Sequence, residues 1–271
     1  MLGLEWDTIA LLTATAFAAG FIDSIAGGGG LLTVPALLVA GIDPVTAVAT
    51  NKVQGTLSIV SALVTYGRKG LIEWRVGLPF GLVAFCFGIC GALLIQFFSK
   101  AAIAALIPVL LIAVALYFGL MRGVGDADRK ARMTRLGFIL IVVPPIALYD
   151  GFLGPGAGSF YAAALIALLG FGITRMTAMS KLLNGGSNLG SLFLFTLTGA
   201  VHWPLGLAMG AASITGAQIG SRLAVRKGAR IIRPLIVITC CALSVRMLLD
   251  PTNPLHGFLV NGLLVNLRIP G

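Results

Sequence analysis

Residues 23–35 read DSIAGGGGLLTVP, in which four consecutive glycines interrupt an apolar segment. Each glycine disfavours a helix by about 1 kcal/mol relative to alanine, so a continuous helix through this run is not expected. A break frees backbone N–H groups, and those that begin the following helix can bind an anion. The stretch therefore predicts a broken helix with a candidate anion site. Close helix packing through small residues is the alternative that it leaves open.

A second copy of this feature lies in the second half of the chain, where residues 154–159 read GPGAGS. Lys52 and Lys181 are 129 residues apart, as are Trp74 and Trp203, and the same shift aligns the two glycine runs without a gap. Matched lysine and tryptophan pairs on one offset are hard to obtain by chance. The sequence therefore predicts two repeats, each containing a broken helix.

The composition indicates the environment in which these repeats fold. The chain has 271 residues, of which 58% are hydrophobic and 10% charged, and its mean hydropathy is +1.02. A soluble domain carries about 25% charged residues, and a membrane-spanning helix needs about 20 apolar residues. These values exclude an ordinary soluble protein and predict an all-α, polytopic membrane protein in contact with the lipid bilayer.

Glycine, proline and charged residues divide the chain into ten apolar segments, five in each half. They cover residues 8–25, 30–41, 44–67, 74–98 and 100–120, then 135–150, 156–170, 174–198, 203–225 and 229–249. Segments 30–41 and 156–170 are short for a full crossing, so we expect half-helices that enter the membrane and return. The expected domains are a first transmembrane repeat over 1–121, a basic cytoplasmic linker over 122–135, a second repeat over 136–250 and a C-terminal tail over 251–271.

Most of the 19 lysines and arginines, which give the chain a net charge of +10, lie in three short loops between apolar segments. These basic residues are Arg68, Lys69 and Arg75, then Arg122, Arg129, Lys130, Arg132 and Arg135, and finally Arg222, Arg226, Lys227, Arg230 and Arg233. Basic loops face the cytoplasm, which places both termini on the outer side of the membrane and makes nucleic acid an unexpected partner. The loop before Trp74 is basic whereas the loop before Trp203 is not, so the repeats are predicted to be inverted, as in many secondary transporters.

The candidate substrate site combines the glycine breaks with polar residues of the following segments. It contains Gly28, Gly29, Asn51, Lys52, Gln54, Gly156, Ser159, Lys181, Asn184 and Asn188. On a helix, Lys181, Asn184 and Asn188 share one face. An ionisable side chain inside a bilayer costs at least a few kcal/mol and usually faces a cavity or a partner. One interpretation therefore has both lysines facing a single central anion, with the amides as neutral hydrogen-bond donors.

Two acidic residues of the apolar segments allow a second interpretation. Asp23 and Asp150 each precede a glycine break. Lys52 paired with Asp23, and Lys181 paired with Asp150, would lock each half internally and leave no cation for a substrate. Either aspartate is also a candidate proton carrier for coupled transport. The sequence alone leaves these alternatives open.

Cysteine and histidine spacing predicts neither a metal site nor a cofactor. Cys86, Cys90, Cys240 and Cys241 lie in apolar segments and form no C-x-x-C pair or ligand cluster with a histidine. We expect these thiols to be buried and to behave as small apolar groups. The chain also contains no H-E-x-x-H, G-x-S-x-G or Walker A string, so it is not expected to be an enzyme.

Paired motifs in the two halves resemble the sulfite exporter TauE/SafE family. They are GFIDSIAGGGGLLTVP over 20–35 and TNKVQG over 50–55, then GFLGPGAGS over 151–159 and KLLN over 181–184. The resemblance covers roughly residues 8–250. It implies an inner-membrane permease for sulfur-containing anions such as sulfite, sulfonates or related organic anions, and it alone introduces sulfur into the prediction.

Together, these features predict a secondary transporter, in the direction of export, for small anions such as sulfite, sulfonates or sulfoacetate. Substrate would bind near the middle of the membrane and alternate in access between its two sides. An anion channel, or a permease for another organic anion, is the alternative. The expected partners are the small anionic substrate and the bilayer, and a homodimer is left open.

Overall fold

The computed structural model describes residues 6–107 and 128–227, together with positions 109, 112, 245 and 248. All regular structure within these residues is helical. The first half contains α1 (Trp6–Ala26), α2 (Gly30–Val39), α3 (Pro44–Arg68) and α4 (Trp74–Leu94). A short 3-10 turn, Ile95–Phe97, extends α4, and residues 100–107 are also helical. The second half contains α5 (Arg135–Phe152), α6 (Ala157–Leu169), α7 (Ile173–Leu197) and α8 (Trp203–Lys227).

Both glycine runs break a helix, as the sequence predicts. In the first half, α1 ends at Ala26 and α2 begins at Gly30, and Gly27 has a φ of +81°. In the second half, α5 ends at Phe152 and α6 begins at Ala157, with Gly156 at a φ of +82°. A positive φ is strained for a residue with a Cβ atom but not for glycine. The glycines therefore turn the chain at each break.

Helix α5 contains one irregular turn that the apolar pattern does not predict. Residues Phe138–Val142 form a π-helical turn just before Pro144 and Pro145. Proline has no backbone N–H to donate to the preceding turn, and wider turns of this kind are short insertions within α-helices. The helix nevertheless continues to Phe152.

The two halves contain the same succession of helices at the same spacing. The 129-residue shift carries Pro44–Arg68 onto Ile173–Leu197 at both ends and Trp74 onto Trp203. The short helices α2 and α6 occupy equivalent places, with 10 and 13 residues. Thus the repeat in the sequence is also a repeat of elements.

Glycines pack the first helix of each half against the last helix of the other half. Gly216 and Gly220 of α8 lie against the backbone of α1 at Phe17 and Phe21, leaving no room for a Cβ atom. Likewise, Gly91 of α4 lies directly against the backbone of α5. Small residues allow helices in membranes to approach this closely.

The central helices α3 and α7 cross in opposite directions. Gly55 of α3 faces the side chain of Asn188, whereas Gly185, earlier on α7, faces Ile59 and Leu63, later on α3. Since these two helices are equivalent under the 129-residue shift, the equivalent elements run in opposite senses. The middle of each helix consequently lies close to the middle of its counterpart.

The hairpin formed by α5 and α6 starts and ends at the same place. The N–H of Arg129, before α5, donates to the carbonyl of Gly170, after α6, at 2.7 Å. The N–H of Arg132 donates to the carbonyl of Leu168 at 2.8 Å. Helix α6 therefore returns toward the level from which α5 departs, which is the geometry expected for segment 156–170.

Three of the described helices are long and apolar enough to cross a membrane. They are Trp6–Ile25, Trp74–Phe97 and Arg135–Phe152, while the apolar helices Gly30–Val39 and Ala157–Leu169 are shorter. Along α4, Trp74, Leu78 and Leu82 are 51%, 55% and 60% exposed at four-residue spacing. Such an apolar outer stripe suits contact with lipid. The prediction of an all-α membrane fold is confirmed.

One sequence expectation is wrong and others lie outside the described residues. Cys86 and Cys90 are exposed on α4 rather than buried, because they lie on the side of that helix that faces away from its neighbours. Cys240 and Cys241 lie outside the described part of the chain, as do residues 122–127, the tail 251–271, and most of segments 100–120 and 229–249.

Candidate functional site

The two helix breaks meet each other at the centre of the molecule. Gly27, in the first break, lies against the backbone of Gly158, in the first turn of α6, so closely that a Cβ atom on either residue would overlap the other. Gly30, the first residue of α2, approaches Pro155 in the second break. The site is therefore built at a contact between the two halves and belongs to both.

Two tyrosines, Tyr66 buried and Tyr149 partly buried, satisfy carbonyl groups that the breaks leave without helical partners. The hydroxyl of Tyr66 on α3 donates to the carbonyl of Ser24 at 2.6 Å, and the hydroxyl of Tyr149 donates to the carbonyl of Pro155 at 2.5 Å. Irregular backbone inside a membrane protein is tolerated where protein groups satisfy it. These hydroxyls stabilise the breaks in their observed shape.

The central lysines form ion pairs across the two halves. Lys52 Nζ of α3 lies 2.7 Å from Asp150 Oδ1 of α5 and also donates to the main-chain carbonyl of Asp150. Lys181 Nζ of α7 lies 3.2 Å from Asp23 Oδ2 of α1. Pairing of Lys52 with Asp23 and of Lys181 with Asp150 is therefore wrong. The antiparallel crossing of α3 and α7 explains the exchange, because it carries each lysine to the break of the other half.

The Asp150 carboxylate has hydrogen-bond partners on both oxygens. Its Oδ1 accepts from Lys52, and its Oδ2 accepts from the hydroxyl of Ser187 and from Asn188 Nδ2, the latter at 3.0 Å. Ser187 and Asn188 are adjacent on α7 and fully or nearly buried. This pair is thus fixed by residues from three helices.

The Asp23 pair is less well satisfied. Asp23 Oδ1 accepts from the N–H of Gly29 at 3.3 Å. Within the described residues, neither Asp23 Oδ2 nor Lys181 Nζ has a hydrogen bond, although both atoms are buried. Gly29 was expected to offer its N–H to a substrate anion, and in this state it offers that N–H to a carboxylate of the protein itself.

Amides and hydroxyls of α3 complete the polar centre. Asn51 Oδ1 accepts from the hydroxyl of Thr33 on α2 at 2.5 Å. Gln54 Nε2 donates to the hydroxyl of Ser213 on α8 at 2.6 Å, whereas Gln54 Oε1 is buried with no partner among the described residues. Polar groups from at least two helices of each half therefore converge on this region.

A small cavity lies among these groups. Its volume of about 20 Å³ is the space for about one water molecule. Its lining is polar and glycine-rich, consisting of Asp23, Gly27, Gly29, Gly30, Asn51, Lys52, Gln54, Gly55, Ile59, Asp150, Gly154, Asn184 and Asn188. A sulfite-sized anion, which has four heavy atoms, does not fit in this volume. The space among these groups is therefore too small for such an anion in this structure.

Most of the residues expected at the substrate site line this cavity. Gly29, Asn51, Lys52, Gln54, Asn184 and Asn188 do so, as do the expected proton carriers Asp23 and Asp150. Gly28, Gly156, Ser159 and Lys181 do not line it. Gly156 instead turns the chain before α6, and Lys181 is placed behind the Asp23 carboxylate.

Several residues of this centre were not predicted from the sequence. Gly27, Gly30, Gly55, Gly154 and Ile59 line the cavity in addition to the expected residues. The glycines could have been found, since Gly27 and Gly30 complete the first run and Gly154 begins the second. Ile59 carries no polar signal, and only the packing of α3 brings it to the wall.

The ionised side chains of the centre cancel in charge. Lys52 and Lys181 contribute two positive charges, and Asp23 and Asp150 contribute two negative charges. An added anion would leave this buried region with a net negative charge, which is costly in a low-dielectric interior. Uptake of a proton by one carboxylate would remove this electrostatic cost, because the total charge would then return to zero.

In the described part of the chain, no group of three metal-ligating side chains of His, Cys, Asp or Glu occurs.

A second charged cluster fixes the start of α7 outside the membrane-spanning segments. Asp128 accepts from the N–H of Gly172 at 2.6 Å and from Arg175 at 2.7 Å, and Arg175 also pairs with Glu73 at 2.7 Å. The Gly172 N–H, and then the Arg175 side chain, hold the pKa of Asp128 below its usual value. The cluster ties the linker and the loop before α4 to the helix that carries Lys181.

Comparison with known proteins identifies the family. A family model described as sulfite exporter TauE/SafE matches residues 12–247. A probable membrane transporter protein, ORF9, of Sinorhizobium sp is 47% identical over 94% of this chain and 98% of its own length. A probable membrane transporter protein, YfcA, of Escherichia coli K12 is 44% identical over 89% of this chain and 90% of its own length. A probable membrane transporter protein of Haemophilus influenzae is 41% identical over 90% of this chain and 96% of its own length.

No solved structure matches this chain. The family model covers nearly all of the described residues, including both helix breaks and both buried ion pairs. The relatives named above align over most of their own length as well as most of this chain. The protein is therefore a member of the sulfite exporter TauE/SafE family of membrane transporters.

Proposed function

We propose that this membrane transporter is a secondary exporter of small sulfur-containing anions such as sulfite, sulfonates or sulfoacetate. It would lie in the inner membrane as a multi-pass protein with both termini outside. Substrate would bind between the two halves, near the middle of the membrane, and access would alternate between the two sides. The name of the family model, sulfite exporter, supports this class of substrate.

The observation that carries the proposal is the pair of fully buried lysines, one from each half, beside a shared polar cavity. Lys52 and Lys181 are 0% and 1% exposed. A buried ammonium is costly even when it is paired, and such a pair is weak evidence for stability. Intramembrane charges of this kind commonly belong to ion or substrate pathways.

The neighbouring neutral groups suit an oxoanion. Asn51, Gln54, Asn184 and Asn188 line the cavity, and each amide can donate two hydrogen bonds. Hydrogen bonds from charged or amide donors replace the water that an oxoanion loses on entering the membrane. We propose this set, together with the two lysines and Gly29, as the substrate contacts.

The closed cavity supports a carrier rather than a channel. Room for about one water molecule requires the halves to move before an anion enters. The opposite directions of α3 and α7, and their equal places in the two repeats, support an inverted repeat in which the second half mirrors the first across the membrane. Such repeats can exchange their conformations, which exposes one site alternately to each side.

Charge balance supports coupling to a proton. Since the four central charges cancel, an anion that enters with one proton leaves the total unchanged. Asp23 and Asp150 both line the cavity, so either carboxylate can take up that proton. Uptake would come from the water on the side to which the site is open.

Flux measurements in proteoliposomes test this function. For the wild type, we expect a flux of sulfite or sulfonate that saturates with concentration and responds to an imposed pH gradient. Lys52→Ala and Lys181→Ala should each lower this flux at least about tenfold, because loss of a hydrogen bond to a charged group costs roughly 1.5–3 kcal/mol. Lys69→Ala, at an exposed loop position, is the matched control and should transport normally. Full transport by both central variants would overturn this assignment of the site.

A further inference from the structure

The two central ion pairs differ in how completely their atoms are bonded. Lys52 bonds the side chain and the main chain of Asp150, whose other oxygen is bonded by Ser187 and Asn188. At the equivalent pair, Lys181 Nζ and Asp23 Oδ2 lie 3.2 Å apart, and both atoms lack a hydrogen bond within the described residues. The repeat makes these lysines equivalent in sequence, yet only one of them is satisfied.

Unsatisfied charged groups bind a ligand at the lowest cost. An ammonium has three N–H donors, and leaving a buried donor without an acceptor costs the full desolvation penalty of that group. An anion that approaches Lys52 has to replace bonds already made with Asp150. An anion that approaches Lys181 has to replace only one contact among the described residues, the 3.2 Å ion pair with Asp23. The competing group there is the Asp23 carboxylate.

Asp23 is placed to control access to Lys181. Asp23 lines the cavity whereas Lys181 does not, and the two side chains are 8% and 1% exposed. As a carboxylate, Asp23 repels an anion and attracts Lys181. Once protonated, it no longer repels the anion, no longer holds Lys181 by charge, and gains an O–H that can donate to the anion. Gln54 Oε1, which is buried without a hydrogen-bond partner among the described residues, belongs to a side chain that lines the same cavity.

We propose that the Lys181–Asp23 pair opens to hold the substrate anion on Lys181 and one proton on Asp23, while the Lys52–Asp150 pair stays closed and joins the two halves. The proton comes from the water on the open side, binds Asp23 when the anion binds, and leaves with it. This assignment rests on the proposed function and narrows its substrate contacts: Lys181 binds the anion, whereas Lys52 keeps its bonds to Asp150 and does not bind the anion directly. It therefore gives different roles to two pairs that are equivalent in the repeat.

Among the residues that the structure describes, few other groups that titrate or carry charge surround Asp23. Those that face it from the packed helices are Lys181 of α7, Asp150 of α5, and Lys52 and Tyr66 of α3. Helix α2 has no titratable side chain, Tyr161 of α6 points to Ser187, and Arg222 of α8 is exposed and bonds Gln218. A change in binding that follows the charge of Asp23 is therefore separable from other titrations by substitution.

Binding of methanesulfonate to the purified full chain, measured by isothermal titration at several pH values, tests the assignment. This sulfonate keeps a constant charge because it is a strong acid. We expect wild-type affinity to rise by up to about tenfold for each unit by which the pH is lowered, as linkage to one proton requires. Asp23→Asn should bind without pH dependence. Asp150→Asn tests the other central carboxylate by its pH slope alone, and Asp7→Asn, an exposed residue of α1, is the matched control that should keep both the wild-type affinity and the slope. Lys181→Gln should lose binding at every pH.

The outcomes separate this assignment from the proposed function. If the wild type binds methanesulfonate but Asp23→Asn keeps the pH slope, or Asp150→Asn alone loses it, the assignment is wrong. The proposed transport function is not contradicted by that result. A wild type that binds equally at every pH also overturns the assignment alone. If the wild type binds neither methanesulfonate nor sulfite at any pH, both proposals fail. Asp23→Ser, which also removes the charge, replaces Asp23→Asn if the latter is not monodisperse, with the same expected outcome.

Discussion

At the scale of the residue, Gly27 determines how closely the two helix breaks approach. It has a positive φ and lies against the backbone of Gly158. Any side chain at Gly27 therefore meets two separate obstacles, an unfavourable backbone conformation and a fixed neighbouring chain. Because the cavity wall includes Gly27, the same contact shapes the site.

Gly27→Ala is expected to destabilise the protein more than Gly41→Ala. Gly41 has a similar φ of +82° but no atom within 4 Å of an added Cβ. Alanine there should cost about 1–2 kcal/mol for the left-handed conformation alone. At Gly27, overpacking should add roughly 1–3 kcal/mol. Unfolding both purified variants in a denaturing detergent measures the difference, and equal losses would show that the break-to-break contact contributes nothing.

The sequence identifies the residues of the centre better than it identifies their partners. The burial of Lys52 and Lys181 follows from their positions within apolar segments, and the structure confirms it. The aspartate that each lysine meets does not follow, because both aspartates precede a glycine break in the same way. Only the packing of one half on the other distinguishes Asp23 from Asp150.

At the scale of the element, the loops outside the bilayer hold helix α7 by its first turn. Asp128 bonds Gly172 and Arg175, and Arg175 also lies over the Phe171 ring at 3.9 Å. These contacts fix the N-terminal end of the helix that carries Lys181, Asn184 and Asn188. The orientation of that helix therefore depends partly on residues that do not line the cavity.

The stability contributed by the Asp128 carboxylate should be lost in acid. Because its folded-state pKa is below the usual 3.8, its contribution is present above 3.8 and disappears as the pH falls through the folded-state value. Thermal unfolding of wild type and Asp128→Asn should show a small gap at neutral pH, since exposed ion pairs contribute roughly 0–1 kcal/mol. The gap should close in acid. Asp7→Asn, an exposed control on α1, should unfold at the wild-type temperature at both pH values. A difference between wild type and Asp128→Asn that persists or grows in acid would contradict the linkage.

Element boundaries are largely local and could be predicted. The apolar segments and the glycine runs place α1, α2, α3 and α6 to within a few residues of their observed ends. The π-helical turn in α5 and the exposure of Cys86 were not predicted. Both depend on how a helix packs or bends, which apolar content does not reveal.

At the scale of the whole molecule, the equivalent helices α3 and α7 run in opposite directions through the centre. If the repeats are inverted across the membrane, equivalent loops face opposite sides. Lys69 follows α3, and Thr198, its counterpart 129 residues later, follows α7; both are exposed. This pair of positions offers a direct test of topology.

Cysteine labelling at these two positions should give opposite results. In a background without Cys86, Cys90, Cys240 and Cys241, a membrane-impermeant thiol reagent should label Thr198→Cys in intact cells and Lys69→Cys only after lysis. The expected difference follows from the basic loop at Lys69, which favours the cytoplasm. Labelling of both positions from the same side would contradict the inverted repeat and the orientation proposed for the termini.

The membrane environment, the two helix breaks and the repeat of elements can be predicted from the sequence, because apolar length and glycine runs act within short stretches of chain and the repeat shows as one constant spacing. Packing of the helices sets the rest: Lys52 meets Asp150 and Lys181 meets Asp23, the first pair has more hydrogen bonds than the second, and the cavity among them is small. These features depend on how α3 and α7 cross and how each break packs on the other. Contacts between residues about 100 or more positions apart are fixed by the packing of whole helices, and no local pattern in the chain specifies them.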